Sequence, residues 1–353
     1  MVHNFNAGPS ILPKEVFEQA AAAILNFENT GLSILEFGHR TSKFTSIMEE
    51  ARDLVRSLMK LDYNHEVLFL HGGASTQFMQ VPMNLLDIKE TAAYTDTGVW
   101  ASKSIKEARL FGKVDIVCSS KEKNYTCIPS DFAVPNDCKY LHITTNNTIY
   151  GTQWHQIPVT SNALVADMSS DILSRELDFN SFDLIYAGAQ KNIGAAGVNL
   201  VIVNKNILGK VKRAIPTIMD YRNHITEGSM LNTPPVFAIY VCLLTLRCLK
   251  KQGGVAAIEK LNNEKASKLY KEIDENDLFT GTVKTEDRSK MNVCFVMNDE
   301  SLENSFLTYA ESLGIVGIKG HRSVGGFRAS LYNAMPLSSV QVLVDAMRNF
   351  AKS

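Results

Sequence analysis

The 353 residues are 45% hydrophobic and 21% charged, ordinary globular proportions that can fill a core and argue against disorder. Lysine and arginine number 36 against 37 aspartates and glutamates, a net charge of −1, which excludes the basic excess of a typical nucleic-acid binder. At about 150 residues per domain, the length allows two to three domains.

A Gly8-Pro9 turn precedes a predicted helix over 13–29, where the alanines at 20–23 and Leu25 favour helix. A second helix fits 42–61, with Ile47, Ala51, Leu54, Val55 and Leu58 on one apolar stripe. Short apolar runs follow at 67–70, 91–95, 115–118, 140–144, 163–166, 184–187 and 200–203, and read as buried strands. Helical segments at 76–86 and 101–111 separate some of them, an alternation that points to a largely parallel sheet covered by helices. Helices are then predicted over 235–249, closed by Gly253-Gly254, and over 255–276. The last hundred residues change texture: a strand at 291–296, a helix at 302–313, a glycine-rich stretch at 316–326, a strand at 328–331 and a helix at 338–351. The expected organisation is α/β, with a large unit over 14–253 and a small α+β unit over 254–353 joined by residues 1–13.

The first six residues lack the basic-then-apolar pattern of a secretory signal. The most apolar run, 234–246, is short of the ~20 residues a bilayer requires and carries Tyr240 and Thr245. No pair among the cysteines at 118, 127, 138, 242, 248 and 294 has C-x-x-C spacing. A soluble, cytoplasmic protein with idle thiols, no metal, and neither nucleic-acid nor membrane partners is expected.

Chemistry concentrates at strand ends. Asp167 closes the run 163–166, and aspartate is a poor strand residue. It sits where open α/β sheets bind ligands, although a lone aspartate there also suits the cap of the next turn. The next strand, 184–187, leads to Lys191, so neighbouring strands would open acid and amine into one crevice. A buried lysine is costly unless paired or chemically used. One use is a Schiff base with pyridoxal phosphate, with an aspartate on the ring nitrogen; a plain Lys191–Asp167 ion pair is the alternative.

The segment H-G-G-A-S-T-Q at 71–77 follows a strand and opens a helix, a place for an anion or simply a tight turn. It is neither G-x-G-x-x-G nor a Walker loop. Trp100 follows another strand and could stack on a ring or pack in the core. Two His-Arg pairs, His39-Arg40 and His321-Arg322, together with Arg328, suggest a substrate with at least two anionic groups.

In chain order stand N-A-G-P at 6–9, G-H-R at 38–40, G-G-A-S-T-Q at 72–77, Trp100, N-T-I-Y-G at 147–151 and D-M-S-S at 167–170. G-A-Q-K-N-I-G at 188–194, N-T-P-P at 232–235, G-H-R at 320–322 and R-A-S-L-Y-N-A at 328–334 complete the set. In these residues the chain resembles, nearly end to end, the phosphoserine aminotransferase family, pyridoxal-phosphate enzymes of the type I fold in the class V group. The resemblance implies Lys191 as the Schiff-base lysine, Asp167 on the pyridine nitrogen, Trp100 stacked on the ring and Thr148 near the cofactor. It implies that Ala74, Ser75 and Gln190 hold the cofactor phosphate, with Asn232 and Thr233 reaching in from the second subunit of a homodimer. Arg328 would take the substrate α-carboxylate. His39, Arg40, His321 and Arg322, some from the neighbouring chain, would take the substrate phosphate or the side-chain carboxylate of glutamate.

The implied reaction is reversible transamination of 3-phosphohydroxypyruvate with L-glutamate, giving O-phospho-L-serine and 2-oxoglutarate in L-serine biosynthesis. Another class V enzyme of the serine–pyruvate type, or a cofactor-binding module without catalysis, is the alternative. Two departures stand out: Ser75 where some members have arginine, and Ala7 where some have serine.

Overall fold

The computed structural model describes residues 1–352; Ser353, the last residue of the expected small unit, lies outside the described residues. The seven apolar runs of the first two hundred residues form a single sheet. Its order is His65–His71, Val198–Asn204, Leu184–Gly188, Ala163–Asp167, Tyr140–Thr144, Thr91–Asp96 and Lys113–Ser119. Neighbours run parallel except for Val198–Asn204, which is antiparallel to both of its partners.

Period-two alternation sorts the strand residues between two cores. Phe69, Ile143, Ala166 and Ile185 face one layer of helices, while Leu68, Leu70, Val165 and Tyr186 face the other. Burial on both faces explains why these runs read as continuously apolar. Each fully buried aliphatic side chain contributes about 1.5–3 kcal/mol.

One strand departs from expectation. The run 115–118 was predicted as a buried strand, yet it lies in a strand, Lys113–Ser119, whose Lys113, Asp115, Ile116 and Ser119 are exposed. It is the sheet edge, with a partner on one side only, and charged side chains there discourage pairing with another chain.

The predicted helices exist, with ends displaced by at most three residues in either direction. The first spans Lys14–Asn26 and stops short of residue 29 because Glu28 and Asn29 take positive φ. The second, Ser42–Met59, starts on the Thr41 hydroxyl, which accepts from the Phe44 amide, and ends where Lys60 turns left-handed. Its buried face, including Phe44, Ile47, Ala51 and Val55, packs against Val236–Lys251.

A second, three-stranded antiparallel sheet joins Phe279–Gly281, Asn292–Met297 and Phe327–Ser330. Phe279, Phe295, Phe306 and Phe327 pack ring on ring above it, mostly edge to face. The N-terminal strand His3–Asn4 pairs in parallel with Ile315–Val316, and Phe5 enters the same cluster. Helix Gly254–Glu275 serves both cores, Val255 and Ile258 in the first, Ala266, Leu269 and Ile273 in the second. Among the described residues no helix is long and apolar enough to cross a membrane.

The hairpin Asn146–Asn147 with Thr152–Gln153 was not foreseen, being too short for a periodic signal. Thr148 lies in its turn, which closes at Gly151 with φ +81°. A β-carbon on Gly151 would sit 2.9 Å from the Asn292 carbonyl oxygen and 3.0 Å from the Cys294 sulfur. Gly151→Ala should therefore cost about 1–2 kcal/mol for backbone handedness plus the crowding. A drop of several degrees in the thermal midpoint is expected; an unchanged midpoint would show that the turn relaxes freely.

Candidate active site

The carboxyl ends of Tyr140–Thr144, Ala163–Asp167 and Leu184–Gly188 lie side by side, with Thr144 opposite Asp167 and Asp167 opposite Tyr186. Parallel register thus sets a hydroxyl and a carboxylate at the same level, where the chain turns out of the Leu184–Gly188 strand toward Lys191. The turn is fixed by the Ala189 amide on the Val198 carbonyl and the Gly194 amide on the Ala189 carbonyl.

The Lys191 amine donates to the Thr148 hydroxyl at 2.9 Å and stands 5.8 Å from the centre of the Trp100 ring. Burial lowers its pKa to about 8; the Arg328 charge adds to the lowering, while Asp167 and Asp171 oppose it. The Asp167 carboxylate is 4% exposed and accepts from the Ser169 amide at 2.9 Å. Burial raises its pKa, against that hydrogen bond and the Lys191 charge. Among the described residues no ion pair joins Lys191 to Asp167, so the amine is held by a neutral hydroxyl instead. Both groups are shifted toward their uncharged forms.

Across the sheet, Gly72 takes φ +100°, and a β-carbon there would stand 2.4 Å from the Thr76 hydroxyl. Asn199 donates to the His71 and Gly73 carbonyls and steadies this loop. Helix Ala74–Leu85 follows with no side chain on its first amides, so its positive end is free for an anion. Gln77 has a structural role: it accepts from the Tyr221 hydroxyl and donates to Gln80.

Ala74, Ser75, Trp100, Thr148, Asp167, Gln190 and Lys191 all line one cavity of about 130 Å3. Sequence reasoning missed Phe78, Thr144 and Asn146 on the same wall. Thr144 lay inside an apolar run, and nothing in that run marks its hydroxyl as exposed to a cavity. A hollow of about 650 Å3 lined by Lys139, Asp183 and Lys210 is larger but has no aromatic ring on its wall.

The remaining predicted residues are placed differently. Asn232 and Thr233 do not line the cavity of their own chain; the Asn232 amide nitrogen meets the His71 ring at 3.3 Å, and Thr233 is exposed. Arg328 reaches the Thr148 carbonyl at 3.3 Å, while its Nε is buried without a partner. The His321 ring meets the Ser323 hydroxyl at 2.7 Å, and Arg322 is exposed. His39 and Arg40 precede helix Ser42–Met59, away from the cavity wall, with the buried His39 Nε2 unpartnered.

A profile of the family described as Aminotransferase class-V matches residues 2–343. The chain is 57% identical over 347 residues to a phosphoserine aminotransferase of Flavobacterium johnsoniae, covering 98% of each. It resembles a solved phosphoserine aminotransferase, studied for radiation damage of its Schiff base, at TM-score 0.97 and 46% identity, covering 100% of this chain and 99% of that one. A PLP-bound phosphoserine aminotransferase from Trichomonas vaginalis matches at TM-score 0.94 and 36% identity, over 99% of this chain and 100% of the other.

Proposed function

Because the chain belongs to the class-V aminotransferase family, we propose that it transfers an amino group reversibly between L-glutamate and 3-phosphohydroxypyruvate. The products are 2-oxoglutarate and O-phospho-L-serine, on the phosphorylated route to L-serine. One observation carries this reading: a buried amine, a buried carboxylate and a tryptophan ring share one cavity that has a free helix N-terminus on its wall.

The residues present suit pyridoxal 5′-phosphate. The Thr144 hydroxyl, 2% exposed, and the Trp100 ring nitrogen are buried without partners on this wall, as polar groups awaiting a ligand would be. When bound, the cofactor supplies an aldehyde for an amine and a ring that accepts the electrons released at the substrate α-carbon. Lys191 would hold it and then move the α-proton; its pKa, lowered to about 8, makes the neutral amine far more accessible near physiological pH than that of an ordinary lysine. Asp167 would keep the ring nitrogen protonated, and Trp100 would stack on the ring. Ser75, Gln190 and the amides of helix Ala74–Leu85 take the cofactor phosphate, completed by Asn232 and Thr233 of a second copy in a homodimer. Arg328 takes the α-carboxylate. His39, Arg40, His321 and Arg322 take the phosphate or side-chain carboxylate at the far end of each substrate.

A coupled assay with glutamate and 3-phosphohydroxypyruvate tests the reading, with hydroxypyruvate as the unphosphorylated control. Equal activity on both keto acids would favour a serine–pyruvate type enzyme; a bound cofactor that glutamate does not bleach would favour a module without catalysis. A pH prediction accompanies it. Capture of added pyridoxal phosphate by the cofactor-free chain needs the neutral amine, which grows as pH rises through about 8. The capture rate should climb up to that pH and level off above it. A flat profile from pH 6 to 9 would place the reacting amine elsewhere.

A further inference from the structure

Thr148 is shared by the two groups that would handle a substrate. Its hydroxyl accepts from the Lys191 amine at 2.9 Å, and its carbonyl accepts from Arg328 at 3.3 Å. Lys191 follows the Leu184–Gly188 strand of the large sheet, whereas Arg328 stands on Phe327–Ser330 in the three-stranded one. The hairpin that carries Thr148 therefore sets the gap between an amine and a guanidinium that belong to different sheets.

A buried amide holds that hairpin. Asn292, fully buried at the start of strand Asn292–Met297, accepts from the Asn146 amide nitrogen at 2.8 Å. Asn146 opens the hairpin and lines the cavity. The Asn292 amide donates its hydrogens to the Ser330 hydroxyl at 3.0 Å and the Tyr332 hydroxyl at 3.2 Å, both just beyond Arg328 in the chain. Tyr332 in turn donates to the Ala7 carbonyl at 2.8 Å, next to Gly8, where a β-carbon would stand 3.4 Å from Cγ of Lys191. One side chain thus uses both its hydrogens and its oxygen to join the hairpin, the Arg328 segment and the N-terminal segment that lies against Lys191. A buried network satisfied in this way favours one arrangement, and removing a member strands its partners.

We propose that Asn292 is a positioning residue for transamination: through Asn146 and its hairpin it fixes the separation of Lys191 and Arg328, so that the α-proton faces the amine while the α-carboxylate is held. The inference rests on the transamination reading above and adds a residue that touches neither substrate nor cofactor. In an amino acid the carboxylate and the α-hydrogen hang on the same carbon, so the two groups that engage them tolerate little relative drift. A displacement of about 1 Å costs on the order of 100-fold in rate. Both substrates carry a carboxylate on the reacting carbon, so the effect is common to them, unlike that of a group that meets the far end of one substrate.

The test uses the holoenzyme. In Asn292→Ala, kcat should fall about 100-fold, while KM for glutamate changes by less than about threefold because Arg328 remains. Deuterium on the α-carbon of glutamate should slow the variant more than the parent, since proton transfer becomes the slow step. A purely structural lesion would lower the amount of active enzyme and leave that isotope effect unmoved. Losses in Asn146→Ala and Asn292→Ala should not add in the double variant, because both act through one contact. Tyr332→Phe removes one hydroxyl from the same network and should show the kcat loss and the isotope effect in weaker form; it decides the matter alone if Asn292→Ala does not fold. A parent-like kcat, an unchanged isotope effect or fully additive losses would overturn the proposal while leaving the reaction assignment intact. A parent enzyme that does not transaminate glutamate would instead sink the assignment itself.

Discussion

Lys191→Ala should abolish transamination, with turnover reduced by about four orders of magnitude or more. Under the proposed reaction two losses combine at one atom, since the amine would be both the covalent tether for the cofactor and the group that moves the α-proton. No nearby side chain stands ready to replace it. The Lys103 amine stands 4.4 Å from the centre of the Trp100 ring but is exposed and does not line the cavity that holds Lys191. The variant should still fold, because the amine makes a single side-chain hydrogen bond, to Thr148, and removing a buried cation relieves a desolvation cost. Borohydride reduction followed by peptide mapping separates the outcomes. Label on Lys191 in the parent and none in the variant is expected. Label on Lys103 or any other lysine, or turnover persisting in the variant, would end the assignment.

What the sequence disclosed follows from how these groups are encoded. Asp167 and Lys191 were legible because polar residues interrupt apolar runs at their carboxyl ends, and a parallel sheet brings successive ends together. Thr144 was not, since a hydroxyl inside an apolar run is indistinguishable from a strand-favouring threonine until register sets it opposite Asp167. The hairpin around Thr148 escaped because two-residue strands carry no period, although Gly151 marked its turn. The run 115–118 was misjudged as buried because strand propensity says nothing about which strand ends at an edge.

Asp167→Asn should slow turnover by about 100-fold or more, because an amide cannot hold a proton on the ring nitrogen through charge. The same change should leave the cofactor-free chain more stable at neutral pH, and the sign can be worked out. Burial raises the Asp167 pKa in the folded chain above its value in the unfolded chain. Between the two values the folded state binds more protons, so the parent's stability falls as pH rises through that window. Above the folded pKa the penalty is fully present, and below the unfolded pKa it vanishes. Asparagine retains an oxygen for the Ser169 amide, so the variant escapes the penalty without losing that hydrogen bond. Thermal melts of both cofactor-free chains should therefore separate at pH 7 in favour of the variant and converge in acid below the ordinary carboxylate range. Holoenzyme melts should narrow or reverse the gap, since a bound cationic ring returns a partner to the carboxylate. A variant that melts lower than the parent at pH 7 without cofactor would show Asp167 to be a structural carboxylate. One that is more stable but scarcely active would show a charge kept at the expense of the fold because the chemistry requires it.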